Sequence, residues 1–176
     1  VGEDVDYVRA RRPDDSKTYI LAEARLKAIL GEDAEVLGTV HGRALVGRRY
    51  QPLFDYFKDH PEAFQVIASS HVTTNDGTGL VHMAPDFGED DFIACRNVGI
   101  RVIQSVDSEG RFKASVPDFM GMNVKDADPA IIRTIKANGR LVRHDTIQHS
   151  YPYCWRSGTP LIYMAMPARF VRVEDL

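Results

Sequence analysis

Apolar and polar positions alternate from the first residues of the chain. Tyr7-Val8-Arg9-Ala10-Arg11 and Thr18-Tyr19-Ile20-Leu21 flank the polar run Pro13-Asp14-Asp15-Ser16, which predicts an opening hairpin. From Glu23 the spacing changes. Ala24, Leu26, Ala28, Ile29 and Leu30 are spaced for a short helix that Gly31 stops. Glu35 to His41 returns to strand spacing, and Gly38, Gly42 and Gly47 mark bends that suggest a tightly curved sheet, with Ala44-Leu45-Val46 and Leu53-Phe54 as core material. Val66-Ile67-Ala68, the turn Asn75-Asp76-Gly77 and the run Leu80-Val81-His82-Met83 predict a second hairpin. Helical spacing resumes from Gly88 to Val98, with Asp86 and Glu89 at the separation of a capping box and Gly99 as the stop. Arg101-Val102-Ile103 reads as strand. A further helix is predicted from Asp128 as cap and Pro129 at its first position, with Ile131, Ile132 and Ile135 on one face and Asn138-Gly139 at its end. The tail alternates through Leu141, Arg143, Thr146 and Ile147, turns at Trp155-Arg156-Ser157-Gly158, and ends in a strand-like run from Leu161 to Val173. Many short strands with a few short helices predict a β-rich α+β fold, curved or closed into a barrel.

Composition bounds this picture. A chain of 176 residues is the size of one domain, and 44% hydrophobic with 27% charged residues is the make-up of an ordinary globular protein. The formal net charge of -3 argues against a protein that holds nucleic acid mainly by neutralising phosphates, while leaving room for a small or tethered RNA contact. No apolar run approaches the roughly 18 residues that span a bilayer, and Val1-Gly2-Glu3-Asp4 lacks the basic start of a signal peptide. A cytoplasmic location is therefore expected, with no membrane and no DNA among the partners. Cys95 and Cys154 stand in no Cys-x-x-Cys spacing, so buried thiols are expected rather than a zinc site or a disulfide framework. The chain opens without Met and in mid-pattern, which reads as a segment excised from a longer protein.

The candidate chemistry concentrates between Thr73 and Phe92, where turn glycines, a histidine and carboxylates fall together. Gly77 and Gly79 lack a Cβ and allow unusual backbone angles or the close approach of a ligand. Asp91 falls in the first turn of the expected helix, where exposed amides favour negative charge, and an anchored anion suits the gripping of an ammonium. Two plainer readings stand beside these. Glu89, Asp90 and Asp91 serve equally well as complements to the helix dipole, and His82 serves as a hydrogen-bonded wall residue. A metal-dependent hydrolase built on His82, Asp86, Asp90 and Asp91 is a rival, although their spacing matches no recognised ligand pattern. No Ser-His-Asp or Cys-His arrangement is visible.

The stretch Gly77-Thr78-Gly79-Leu80-Val81-His82-Met83-Ala84-Pro85, continuing through Gly88-Glu89-Asp90-Asp91-Phe92, resembles the Gly-Thr-Gly, Val-His, Ala-Pro and Gly-x-Asp-Asp-aromatic signature of isoleucine tRNA ligase editing domains. Leu45-Val46-Gly47-Arg48-Arg49-Tyr50-Gln51-Pro52-Leu53-Phe54 resembles the family's Leu-x-Gly-x-x-Tyr-x-Pro-x-Phe stretch. The run from Ser150 to Leu161, with Tyr151-Pro152-Tyr153-Cys154-Trp155-Arg156, is similar to its return path towards the synthetic domain. The wording around Pro61-Glu62-Ala63-Phe64 and Asp86-Phe87-Gly88-Glu89 resembles the eukaryote-like subgroup, which some bacteria also carry. Editing domains of valine and leucine tRNA ligases carry a His-Asp pair before the key aspartate, where this chain has Phe87-Gly88. Two departures stand out: the family's threonine-rich peptide would precede residue 1, and Arg169 takes the place of a frequent Trp.

The resemblance implies a single editing domain over residues 1–176, of the barrel-like valyl, leucyl and isoleucyl type. It implies hydrolysis of misacylated Val-tRNA(Ile) after transfer, with hydrolysis before transfer left open, as part of a ligase that charges tRNA(Ile) with isoleucine using ATP. An Ile-sized pocket cannot strongly exclude Val, which is one methylene smaller, so a second pocket that hydrolyses what enters multiplies the selectivity. Asp91 would bind the α-ammonium as the key catalytic-site residue, His82 would line the side-chain pocket, and Gly77, Thr78 and Gly79 would contact substrate. No metal and no cofactor is expected in this domain, because ATP belongs to the parent ligase outside the chain. The implied partners are the 3′ end of misacylated tRNA(Ile) and the remaining ligase domains. A fragment that only binds the aminoacyl-tRNA end is the non-enzymatic alternative.

Overall fold

The computed structural model describes residues 1–146, 148, 150–169 and 171. The chain divides into two compact units. The first is Val1–Pro85 with Ile93–Arg101, and the second is Asp86–Phe92 with the described residues from Val102 onward.

The first unit is built on the opening hairpin. β1 (Asp6–Arg11) pairs antiparallel with β2 (Tyr19–Ala22), placing Tyr7 opposite Ala22 and Ala10 opposite Tyr19. Asp15 sets the turn: its carboxylate accepts from the Lys17 amide at 2.9 Å and from the Tyr19 hydroxyl. A single 3₁₀ turn over Glu23–Arg25 leads into α1 (Leu26–Leu30), which ends at Gly31 as its spacing predicts. β3 (Glu35–His41) returns along the other edge of β1. Arg9 faces Gly38 and Ala10 faces Val36, so Leu37 is an extra residue and the edge bulges there. The order is β2-β1-β3, all antiparallel.

Alternation along β1 sorts its side chains onto two faces. Val8 and Ala10 pack with Leu21 and Leu30, against Leu26 and Ile29, so α1 and its flanks cover one face. Tyr7 and Ala22 pack on the other with Val1 and Leu45, against Val5, Val40, Val66 and Leu80. That second face is covered by irregular chain, which is how residues 66 to 80 are held beside the sheet.

The α+β class is as expected, but the sheet is open. Among the described residues it has three strands, and three strands are too few to close a barrel. The expected second hairpin is not formed: Val66–Ala68 and Leu80–Met83 lie outside regular secondary structure and do not pair with one another. Val66 instead exchanges hydrogen bonds with Gly47 and Arg48, both 2.8 Å, and Leu80 packs under β1. Their apolar character is spent on covering the Tyr7 face rather than on a ladder.

The second unit is held by turns and isolated bridges. Val106 bridges Phe112, Arg111 bridges Asn123, and Val106, Val116, Phe119 and Ala127 are buried. Arg101-Val102-Ile103 forms no strand, nor do the described residues of the expected runs from Leu141 to Ile147 and from Leu161 to Val173. Ile147, Phe170, Arg172 and Val173 of those runs lie outside the described residues. α2 covers Glu89–Asn97, within the expected span, and α3 covers Val124–Ala137. α3 starts earlier than expected because Asn123 caps it, accepting from the Lys125 amide at 3.0 Å. Asp128 is therefore no cap, and Pro129 sits inside the helix, where its missing N–H removes one ladder bond. No described helix is long and apolar enough to cross a membrane.

Candidate functional site

The Gly77-Thr78-Gly79 loop is fastened through its backbone. Its three successive carbonyls are taken: Gly77 O accepts from Arg25 Nε at 2.9 Å, Thr78 O from the Ala22 amide at 2.8 Å, and Gly79 O from the Tyr7 hydroxyl at 2.8 Å. Arg25 also donates to Asn75 O at 3.1 Å. The Thr78 hydroxyl bonds within its own loop, donating to Leu80 O at 3.2 Å and accepting from Leu80 N at 3.3 Å. Gly79 has φ +74°, and a Cβ there would collide with the Ala22 Cβ. Glycine at 79 is thus demanded by the fold, whatever else the loop does.

His82 follows outside regular secondary structure and is exposed. It lies in the first unit with Gly77, Thr78 and Gly79, while Asp91 lies in the second. Asp91 is the third residue of α2, half-buried, within the acidic first turn Glu89-Asp90-Asp91. Phe92 N donates to Gly88 O at 2.9 Å, and Gly88, at φ +149°, lies so close that a Cβ on it would stand 3.5 Å from Asp91 Cγ. The helix start therefore brings a backbone without side chain against the Asp91 carboxyl.

Asp86 does not form the expected capping box. It is 2% exposed, and among the described residues neither carboxylate oxygen has a hydrogen-bond partner. Burial pushes its carboxyl above the usual range, while the Ala165 amide and the Lys113 ammonium nearby pull the other way. Asp86 lines a cavity of about 810 Å³ with Glu89, Phe92, Val102, Gln104 and the segment Tyr163–Pro167. Among the described residues, no three His, Cys, Asp or Glu side chains are grouped to hold a metal ion, so the four-residue ligand set of the metal-dependent rival is not assembled. Cys95 is buried as expected. Cys154 is only half-buried, and hydrogen bonds from the Ser157 side chain and from the Ser157 and Arg156 amides hold its thiol below the usual range.

No family model matches the chain. The isoleucine tRNA ligase of Corynebacterium diphtheriae is 50% identical over 185 residues, which cover 100% of this chain and 18% of that ligase. That of Bdellovibrio bacteriovorus is 48% identical, covering 100% of this chain and 17% of the ligase. The cytoplasmic isoleucine tRNA ligase of Arabidopsis thaliana is 42% identical over 207 residues, covering 97% and 17%. Along its whole length the chain is homologous to one segment of isoleucine tRNA ligases. It spans less than a fifth of the length of these relatives. Within this isoleucine tRNA ligase segment the motif residues 77–92 cross from one compact unit into the other, and the Asp86 cavity falls wholly in the second. Sequence reasoning missed that cavity, because a carboxylate three residues before a helical Glu has the spacing of a cap, and Tyr163–Pro167 reads as plain strand.

Proposed function

We propose that this chain is the proofreading part of an isoleucine tRNA ligase and hydrolyses Val-tRNA(Ile). Asp91 holds the α-ammonium of the misattached valine, His82 limits the size of the aliphatic group admitted, and Gly77, Thr78 and Gly79 form the surface along which the substrate lies. Water attacks the ester carbonyl: a new C–O bond forms, the bond to the ribose oxygen breaks, and valine and a free tRNA 3′ end leave. An aminoacyl ester is already activated, so holding substrate and water in position is the main task and no covalent nucleophile is required. The 3′ end of tRNA(Ile) and the remaining ligase domains are the partners. This segment works without a cofactor of its own, and the ATP-dependent charging of tRNA(Ile) belongs to the rest of the ligase.

The observation that carries the reading is the relation to isoleucine tRNA ligases over the full chain. It is supported by the acidic first turn that holds Asp91, and by a loop fixed through three carbonyls, whose surface keeps its shape. In the complete ligase, Asp91→Ala is expected to lower deacylation of Val-tRNA(Ile) by about 100-fold or more, the effect of removing one partner from a desolvated charge pair, and to leave isoleucine activation intact. Retained deacylation sinks the proposal. His82→Ala is expected to raise hydrolysis of correctly charged Ile-tRNA(Ile) by about tenfold, the scale on which one pocket contact discriminates aliphatic groups. A variant that still spares Ile-tRNA(Ile) removes the size-limiting role from His82.

A further inference from the structure

Asp86 is the one buried charged side chain among those described, and neither of its carboxylate oxygens is within hydrogen-bond geometry of a donor among them: the Ala165 N–H lies near enough to lower its titration but is directed at the Asp86 main-chain carbonyl. Such a group is costly to bury, and an orphan of this kind in a native fold points to a partner that is not part of the chain. Its main-chain carbonyl is occupied, accepting from Ala165 N at 2.9 Å, which ties Asp86 to the Tyr163–Pro167 segment of the cavity lining. Phe92, Val102, Met164 and Met166 supply the apolar part of the lining. Glu89 adds a second, exposed carboxylate, and Gln104 is turned aside to donate to Ala165 O at 3.4 Å. Lys113 lies near enough to pull on the Asp86 titration, yet among the described residues forms no ion pair with it. Two carboxylates in an apolar wall select a small cation with an apolar body.

We propose that this cavity is a binding site for a small aliphatic primary ammonium ion, its NH3⁺ against Asp86 and its alkyl stem along Phe92, Val102 and Met164. Binding supplies the donors that Asp86 lacks and covers apolar wall that is otherwise wet. The site goes beyond the proofreading reading, since Asp91 is not among the cavity-lining residues.

The test is an NMR titration of the ¹⁵N-labelled 176-residue chain with three probes of one shape: isobutylamine hydrochloride, isobutanol and isovalerate. Isobutylammonium is expected to bind at least about tenfold more tightly than isobutanol, the scale of one charge-assisted contact. It should shift the amides of Gly88, Phe92, Gln104 and Ala165, while isovalerate does not bind. Asp86→Asn should bring isobutylammonium to the level of isobutanol, and Asp90→Asn, which removes an exposed carboxylate, should change nothing. Equal binding of the amine and the alcohol, no binding of the amine, or undiminished binding by Asp86→Asn overturns the proposal. If Asp86→Asn does not fold, the comparison of amine with alcohol on the unsubstituted chain decides alone.

Discussion

Two buried polar side chains, Tyr7 in the first unit and Asp86 in the second, are treated in opposite ways. In the first, the Tyr7 side chain is fully buried and its hydroxyl is used twice, accepting from Gly2 N at 3.0 Å and donating to Gly79 O at 2.8 Å. In the second, Asp86 is almost as deeply buried, and no donor among the described residues is within hydrogen-bond geometry of its carboxylate, the nearby Ala165 N–H being directed at the main-chain carbonyl. A satisfied group inside a core acts as a rivet, because removing it leaves its partners unpaired. An orphaned one weakens the fold that carries it. The contrast separates what the chain needs in order to stand from what it holds ready for another molecule.

Substitutions at the three positions sharpen or break that contrast. Gly79→Ala carries the largest expected effect. It forces a side chain into a positive-φ position and against Ala22, and should cost about 3 kcal/mol, read from urea unfolding of the chain. A near-neutral result would mean that the loop is free to move off the sheet. Tyr7→Phe should cost about 2 kcal/mol in the same assay, since it strips a donor from Gly79 O and an acceptor from Gly2 N in a buried place. A loss no larger than that of an exposed Tyr→Phe change would undo the rivet description.

Asp86→Asn should move stability in the other direction, by about 1 kcal/mol in favour of the variant near pH 7. The sign follows from the raised native titration. Over the interval above the ordinary carboxyl range, the native state keeps a proton that the unfolded chain has released. The stability this gives is fully present in acid and is lost as pH rises through the native value. The variant should lack that loss, so its urea midpoint should gain on the unsubstituted chain between pH 4 and pH 7. Parallel pH profiles would show that Asp86 ionises without penalty and would end the comparison with Tyr7.

Legibility in the sequence followed how local the deciding interactions are. The opening hairpin, α1 and its stop at Gly31 were readable because turn residues and periodicity decide them within a few positions. α2 and the placement of Asp91 in its first turn were readable for the same reason. The start of α3 was misread because Asp128-Pro129 is a stronger local signal than Asn123, although Asn123 makes the capping bond. The apolar runs at Val66 and Leu80 look like strands in any window. They pack on the Tyr7 face instead, and only their partners in the first 45 residues reveal it. Asp86 was unreadable as a site because its isolation is a property of Val102, Gln104 and Ala165, none of which is its neighbour in sequence.

The contact between Gly79 and Ala22 carries a consequence for how this chain can diversify. The two positions form a minimal pair, one lacking a Cβ and the other reduced to one, and position 79 can gain no side chain while Ala22 carries its own. A loop grafted here with any residue other than glycine at position 79 will therefore run into Ala22, even where the rest of the graft is sound. Anyone transplanting the 77–79 turn must carry Ala22 with it, 57 positions away, as part of the same unit of inheritance.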